Sequence, residues 1–305
     1  MVGQERVEFY HHVDEEEAGK MVRQVLSNRF RFSRRMFRRL RNHQGVTVNG
    51  ERVYLTSRIA AGDVIEVVLP MDEGEGIAPE PIPLVVKHED QDVIILDKPA
   101  GIVVHPTKGH PEGTLANGLA HYWLEKEEFH LIRPVTRLDK DTSGLILFAK
   151  HAHAHAYLSK QMARRRYQRE YFAFVHGKVA EEEGVIDAPI RRQSDISIIR
   201  EVAVDGAHAV THFRRLRQWN NATLLHLSLE TGRTHQIRVH LEHMGYPIIG
   251  DEMYGGRRGE MGMSRQALHA GFLSLIHPRS EERLTVDAPL PEDMATLLVE
   301  LDRWE

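Results

Sequence analysis

Apolar residues change their period several times along the chain, and the changes mark out its elements. From Glu5 to about Ser27, the spacing of Ala18, Met21, Val22, Val25 and Leu26 predicts a helix. Ser33 has the chemistry of an N-cap for a second helix carrying Met36, Phe37 and Leu40. The period then shortens. Val46, Val48 and Val53 to Leu55 flank Asn49-Gly50, a pair suited to a two-residue hairpin, and Gly62-Asp63 leads into a strand over 64–67. Residues 1–70 therefore read as two short helices on a small sheet. Residues 71–84, MDEGEGIAPEPIPL, mix Gly, Pro and Glu without periodicity and read as a linker.

Residues 85–305 form the second unit. The apolar runs at 92–96 and 145–149 are bounded by Pro or Gly, as buried strands are. Further strands are predicted at 171–176, 209–216, 222–229 and 283–287, and helices near 115–123, 153–166, 234–244 and 291–304. Strands outnumber helices and do not alternate with them, so the fold class is α+β.

Composition narrows the possibilities. The chain has 305 residues, 41% of them hydrophobic and 28% charged, which suits a folded globular protein rather than a disordered one. With no cysteine, disulfides, zinc–thiolate sites and thiol nucleophiles are excluded. No apolar run reaches the ~20 residues of a membrane span, and the N-terminus lacks the basic start and apolar stretch of a secretory signal. A cytoplasmic monomer is the expectation.

The net charge of −4 hides an uneven distribution. Residues 1–70 hold 12 Lys and Arg against 9 Asp and Glu, while the rest hold 28 against 35. Between Ala18 and Gly50 there is no acid at all, yet Arg29, Arg31, Arg34, Arg35, Arg38, Arg39 and Arg41 fall within thirteen positions. A solvated face is the plain reading of a charge run. Cations this dense repel one another unless a polyanion lies opposite, which favours a phosphate-binding surface.

Four segments carry candidate chemistry: 97–106 (DKPAGIVVHP), 133–144 (RPVTRLDKDTSG), 169–171 (REY) and 231–240 (TGRTHQIRVH). Asp139 and Asp141 form a carboxylate pair of the kind that performs acid–base work at a glycosidic carbon. Asp141 alone also suits a turn that caps the backbone at 142–144. Asp139 lies between cations, which favour a charged, nucleophilic carboxylate. Thr231-Gly232 is a plausible helix start, from which Arg233, Ile237 and His240 would share a face and Arg233 could pair bidentately with a carboxylate or take a phosphate. His235, His240 and His243 invite a metal reading, but without cysteine or an HExxH pattern no metal is expected. The run at 151–155 (HAHAH) reads as a solvated helix start.

Taken in order, the four segments resemble the motifs of RluA/RluD-type RNA pseudouridine synthases. The likeness runs from about Val86 to the end of the chain, with RLDKDTSGLILFAK and TGRTHQIRVHLEHMGYPIIGDEMYGG its most specific parts and ALHAGFLSLIHP a fifth match. Residues 13–69, through Ser33-Arg34-Arg35, GVTVNG and GDVI, resemble the S-four-like RNA-binding module that often precedes this catalytic domain. The resemblance implies a catalytic domain with a mixed, largely antiparallel sheet, preceded by a small α+β domain. It implies that Asp139 is the catalytic aspartate, that Tyr171 packs on the uracil and assists proton removal, and that Arg233 pairs with the aspartate. Arg137 would enter the base stack when the uridine flips out, Ile237 would wall the base, and His235 and Arg238 would also contact substrate. Arg34, Arg35 and Arg38 would bind RNA. Thr136 and Arg169 depart from the residues common at their positions. The implied partner is ribosomal RNA, with transfer RNA as the alternative, and no cofactor.

Two rival readings make different demands. A non-catalytic RNA-binding protein would tolerate loss of Asp139 or Tyr171, and both are present. A glycoside hydrolase needs a sugar-stacking surface, whereas aromatics make up only 7% of the chain and the neighbours of Asp139 are cations.

Overall fold

A computed structural model describes residues 8–43, 45–69, 77–164, 166–257 and 259–303. The N-terminal unit is a four-stranded antiparallel sheet in the order β1-β4-β2-β3, built from β1 (Glu8–His12), β2 (Val46–Val48), β3 (Glu51–Arg52) and β4 (Val64–Val68). Helices α1 (Val22–Arg29) and α2 (Arg34–His43) cover it, burying Val22, Val25, Leu26, Met36 and Leu40 against Phe9, Ile65 and Val67. Ser33 Oγ accepts from Met36 N at 3.2 Å and so caps α2. Asn49 and Gly50 both have positive φ, 52° and 82°, the geometry that a tight hairpin with the right twist requires.

One expectation fails here. Residues 8–12, expected to open a long helix, form β1 because they pair with β4 from Glu8↔Val68 to His12↔Val64, a long-range ladder that helical spacing downstream cannot foretell.

Of the expected linker, 71–76 lie outside the described residues. The part nearer the second unit is strapped onto α3 (Leu115–Glu125). Glu80 N donates to Asn117 O, Asn117 Nδ2 donates to Ala78 O, and Ile82 packs against Gly118.

A nine-stranded sheet organises the second unit. Its order is β5 (Val85–Glu89), β6 (Val93–Lys98), β7 (Ser143–Ala149), β14 (Leu268–Ile276), β8 (Gln168–His176), β13 (Ala222–Leu229), β12 (Val210–Gln218) and β9 (Glu183–Asp187), with β15 (Arg283–Asp287) also pairing β14. Only the β7–β14 pair is parallel among the described strands, so the sheet is mixed and largely antiparallel. A separate hairpin joins β10 (Ile190–Arg192) to β11 (Arg200–Val202). Every residue of β7 is buried, which marks it as a central strand covered on both faces. On one side α3 packs Leu115, Leu119 and Trp123 onto Ile94, Leu96 and Phe148. Helix α4 (Ala152–Ala163) buries Ala154 and Leu158 in a second cluster. Helices α5 (Gln236–His243) and α6 (Glu292–Arg303) share the largest core, with Phe174, Trp219 and Leu225.

The run at 151–155 is not a solvated helix start. His151 caps α4 and His153 is 4% exposed, because the N-terminal unit docks there: Phe32 and Phe9 meet the His153 ring at 4.7 and 5.7 Å. Arg279 stacks over Phe9 at 4.1 Å, and Arg31 pairs with Glu281. Among the described residues no helix is long and apolar enough to cross a membrane.

Candidate active site

The 134–142 segment leading into β7, the start of β8, the β10–β11 hairpin and the 229–238 turn into α5 wall a cleft of about 1100 Å³. Among the described residues, seven Lys and Arg side chains line it (Arg137, Lys140, Arg169, Arg192, Arg200, Arg233 and Arg238) against two carboxylates, Asp139 and Asp141. A polyanion is therefore attracted to a chain whose total charge is negative.

Asp139 sits on a turn that several groups hold rigid. Its carbonyl accepts from Thr142 N at 3.1 Å, so the backbone itself closes the turn, in place of the expected capping of 142–144 by the Asp141 side chain. Lys98, fully buried, donates from Nζ to Lys140 O at 2.8 Å and to the carbonyls of Pro99 and Ile102 at 2.9 and 3.0 Å. Burial pushes the Lys98 pKa down to about 7, against the pull of Asp141. Gly101 N also donates to Lys140 O, and Arg265 donates to Asp141 O at 3.1 Å while its fork grips Asp293. Gly144 ends the turn at φ 111°, where a Cβ would lie 2.2 Å from Ala270 O; only glycine lets β7 start this close to β14. Lys98, Arg265 and Gly144 thus aim Asp139 without touching the cleft centre. Lys98 and Gly144 lie in segments that were already conspicuous, whereas nothing in the local pattern around Arg265 announced it.

The carboxylate faces α5. Arg238 Nη1 donates to Asp139 Oδ2 at 3.3 Å, and the same guanidinium makes a bidentate pair with buried Asp251 at 2.6 and 2.7 Å. It also stacks over Tyr254 at 4.9 Å. Tyr254 Oη accepts from Arg200 N at 2.9 Å and lies 2.8 Å from His235 Nδ1. When the hydroxyl donates to Nδ1, the ring proton lies on Nε2, which faces Asp139 Oδ2 at 3.9 Å. Burial lowers the His235 pKa, with Asp139 opposing.

This arrangement corrects the expected pairing of Arg233 with Asp139. Arg233 is exposed, and its Nε donates to His208 O at 2.9 Å. The helix begins at Gln236, not at 231–232, because His235 adopts a left-handed conformation (φ 57°) as N-cap and the Gln236 amide accepts from Arg233 N. Arg233 is thus left on the rim, and Arg238, on the first turn of α5, points at the carboxylate.

Tyr171, on β8, is 4% exposed and lines the cleft with Ile237, also 4% exposed. Burial raises the Tyr171 pKa, Arg169 opposing and Asp139 adding to it. Arg137 is exposed at the cleft edge. Away from the cleft, α2 exposes Arg34, Arg38 and Arg41 on one face by their spacing; the Arg35 side chain lies outside the described residues.

The histidines expected as possible ligands are otherwise engaged. His240 Nε2 donates to Ala188 O and its Nδ1 meets Thr211 Oγ1, both at 2.9 Å. A separate group, Asp90, Asp92 and His277, has metal-donor atoms close together. Its chemistry does not suit a cation, since Arg279 and His151 hold Asp92, while His88, His277 and two backbone amides hold Asp90.

Comparison with known proteins bears on this geometry. Residues 92–243 match the model of the RNA pseudouridylate synthase family, and residues 9–65 that of the RluD ribosomal pseudouridine synthase N-terminal domain. The chain is 44% identical to the uncharacterized RNA pseudouridine synthase YlyB of Bacillus subtilis, covering 84% of this chain and 85% of that one. It is 37% identical to ribosomal large subunit pseudouridine synthase D of Escherichia coli, covering 96% and 94%. Among solved structures, human RNA pseudouridylate synthase domain containing 4 superposes with a TM-score of 0.59 at 23% identity, over 72% of this chain and 93% of that one, a likeness of fold.

Proposed function

The chain belongs to the RNA pseudouridine synthase family, and from that premise we propose that it isomerises specific uridines of large-subunit ribosomal RNA through Asp139. The observation that carries the reading is the Asp139 carboxylate held against Arg238 in a cleft rich in cations. Ribosomal RNA is favoured because relatives such as the Escherichia coli protein are named for it. The location is then the cytoplasm, and the working unit a monomer. Residues 1–70 act as an RNA-binding domain and 85–305 as the catalytic domain.

Isomerisation breaks the N1–C1′ bond, turns the uracil and joins C5 to C1′; C5 loses a proton and N1 gains one, so there is no net redox change. Asp139 serves either reading of the first step, attack on C1′ or removal of a sugar proton. A stacked uridine must flip out at a cost of a few kcal/mol, and Arg137 at the cleft edge can fill the vacancy. Ile237 and Tyr171 supply walls that exclude water while the base is detached. Arg238 takes the role of aspartate partner, His235 adds a second N–H toward the carboxylate, and Arg233 on the rim meets phosphate.

The test is release of tritium from carbon five of labelled uridine in RNA. Large-subunit ribosomal RNA is expected to release label, and transfer RNA to release far less. No release from ribosomal RNA overturns the substrate reading, and no release from either RNA overturns the role given to this cleft.

The N-terminal unit has its own test. Reversing Arg34 and Arg38 to Glu should weaken RNA binding and flatten its dependence on salt, by roughly 0.7 to 0.9 in log–log slope for each phosphate no longer neutralised. An unchanged slope would leave the α2 arginines as solvated surface.

A further inference from the structure

Tyr167, immediately before β8, and Arg169 and Tyr171 at its start are spaced by two residues, so their side chains line one side of the chain there. The two tyrosines are 6% and 4% exposed, and the arginine lies between them, half-buried in the cleft wall. Its guanidinium carbon lies 5.8 Å from the Tyr167 ring centroid, a cation–π contact that fixes one side of the fork. The other side lies under the turn into α5: a Cβ on Gly232 would sit 3.3 Å from Arg169 Nη2. Tyr171 follows two residues on along the same face, and both side chains line the cleft. Arg169 thus lies between the Tyr167 ring, the turn that leads to His235 and Arg238, and the neighbouring Tyr171 on the cleft wall.

We propose that Arg169 is a positioning residue for Tyr171, holding its oxygen in the reactive orientation and balancing the negative charge it carries before it takes the proton. The inference rests on the reading that Tyr171 takes part in proton removal from carbon five. In that step the C5–H bond breaks, its electron pair returns to the uracil ring, and the proton passes to the ionised Tyr171 oxygen, giving the neutral phenol. Burial opposes ionisation of Tyr171. The groups facing it are Asp139, whose charge opposes ionisation too, Tyr167, and Arg169, whose charge favours it. A cation with a planar fork can point at one oxygen while stacked on a neighbouring ring, which lysine cannot do.

The experiment measures product formation and carbon-five tritium release against pH for Arg169→Met, Arg169→Lys and Tyr171→Phe in the full chain, together with RNA affinity and thermal unfolding. Arg169→Met is expected to lower kcat on the order of 10- to 100-fold, to move the basic-form limb of the profile to higher pH, and to leave KM nearly unchanged. Arg169→Lys, which keeps the charge, should restore the limb while recovering only part of kcat. If Arg169→Met raises KM with kcat and the pH profile intact, Arg169 binds RNA and the proposal is overturned. It is overturned equally if Lys behaves as Met does. Should Tyr171→Phe release label at the full rate, the reading of Tyr171 fails and this proposal with it; an inactive Tyr171→Phe beside a wild-type Arg169→Met overturns the Arg169 role alone.

Discussion

Asp139→Asn is expected to reduce pseudouridine formation on the order of 10⁴-fold or more while leaving the protein folded and bound to RNA. Asparagine keeps the shape of the side chain but can neither attack a sugar carbon nor take its proton. The fold should barely notice. The carboxylate is 26% exposed, its contact with Arg238 is a single 3.3 Å bond, and that guanidinium is already engaged by Asp251. Losing a partly solvated ion pair of this kind costs about 1 kcal/mol or less. Removing a negative charge from a wall that carries seven cations should also leave RNA affinity equal or tighter. Activity by tritium release, affinity by filter binding and unfolding by calorimetry separate these effects. A variant that loses RNA binding or unfolds early would make Asp139 structural; one that keeps its rate would remove it from the chemistry.

Replacing Arg238 has the opposite profile, because stability and activity fall together. In Arg238→Met, Asp251 (1% exposed) loses both bonds of its bidentate pair and retains the weaker one from Met253 N at 3.2 Å. An uncompensated buried carboxylate costs about 3–5 kcal/mol, which lowers the melting temperature on the order of 10 °C. Asp139 loses its guanidinium donor at the same time. A charge-assisted bond of this type is worth about 1.5–3 kcal/mol, so a further loss of roughly 10- to 100-fold in kcat is expected even below the melting point. Adding Asp251→Asn to Arg238→Met separates the two effects. The double variant should recover much of the melting temperature, since the orphaned charge is gone, but not the activity, since nothing replaces the donor to Asp139. Recovery of both would mean that Arg238 acts only by packing; recovery of neither would mean that the Arg238–Asp251 pair is not the source of the stability.

The two arginines of 231–240 show why a site can be legible while its pairing is not. Arg233 and Arg238 lie five residues apart in one stretch, and either can satisfy a carboxylate from elsewhere. The choice depends on where the helix begins. A start at 231–232 would place Arg233 on the first turn; the left-handed His235 delays the start to Gln236 and puts Arg238 there instead. Asp251 was invisible for a related reason. Its importance comes from burial beside Arg238, thirteen residues away, and a solitary Asp in a Gly-rich segment looks like a turn residue.

Other departures share that origin. Glu8 to His12 contain the strand-favouring Phe9 and Tyr10, but the segment is too short for a period to show, and pairing with β4 makes it a strand. His153 looked solvated because its neighbours along the chain are small and polar, yet Phe9 and Phe32 of the N-terminal unit close over it.

Local pattern is enough to read the α+β class, the hairpin at Asn49-Gly50, most strands and helices of the second unit, and the segments that line the cleft. These are encoded in local periods, turn residues and motif spacing, which need no distant partner to be recognised. Folding in three dimensions settles which arginine meets Asp139, that Lys98 and Arg265 hold the aspartate's turn, and that seven cations among the described residues converge on a cleft in a chain of net charge −4. Such outcomes depend on distances between segments far apart along the chain, and both electrostatic attraction and desolvation vary with those distances rather than with order in the sequence.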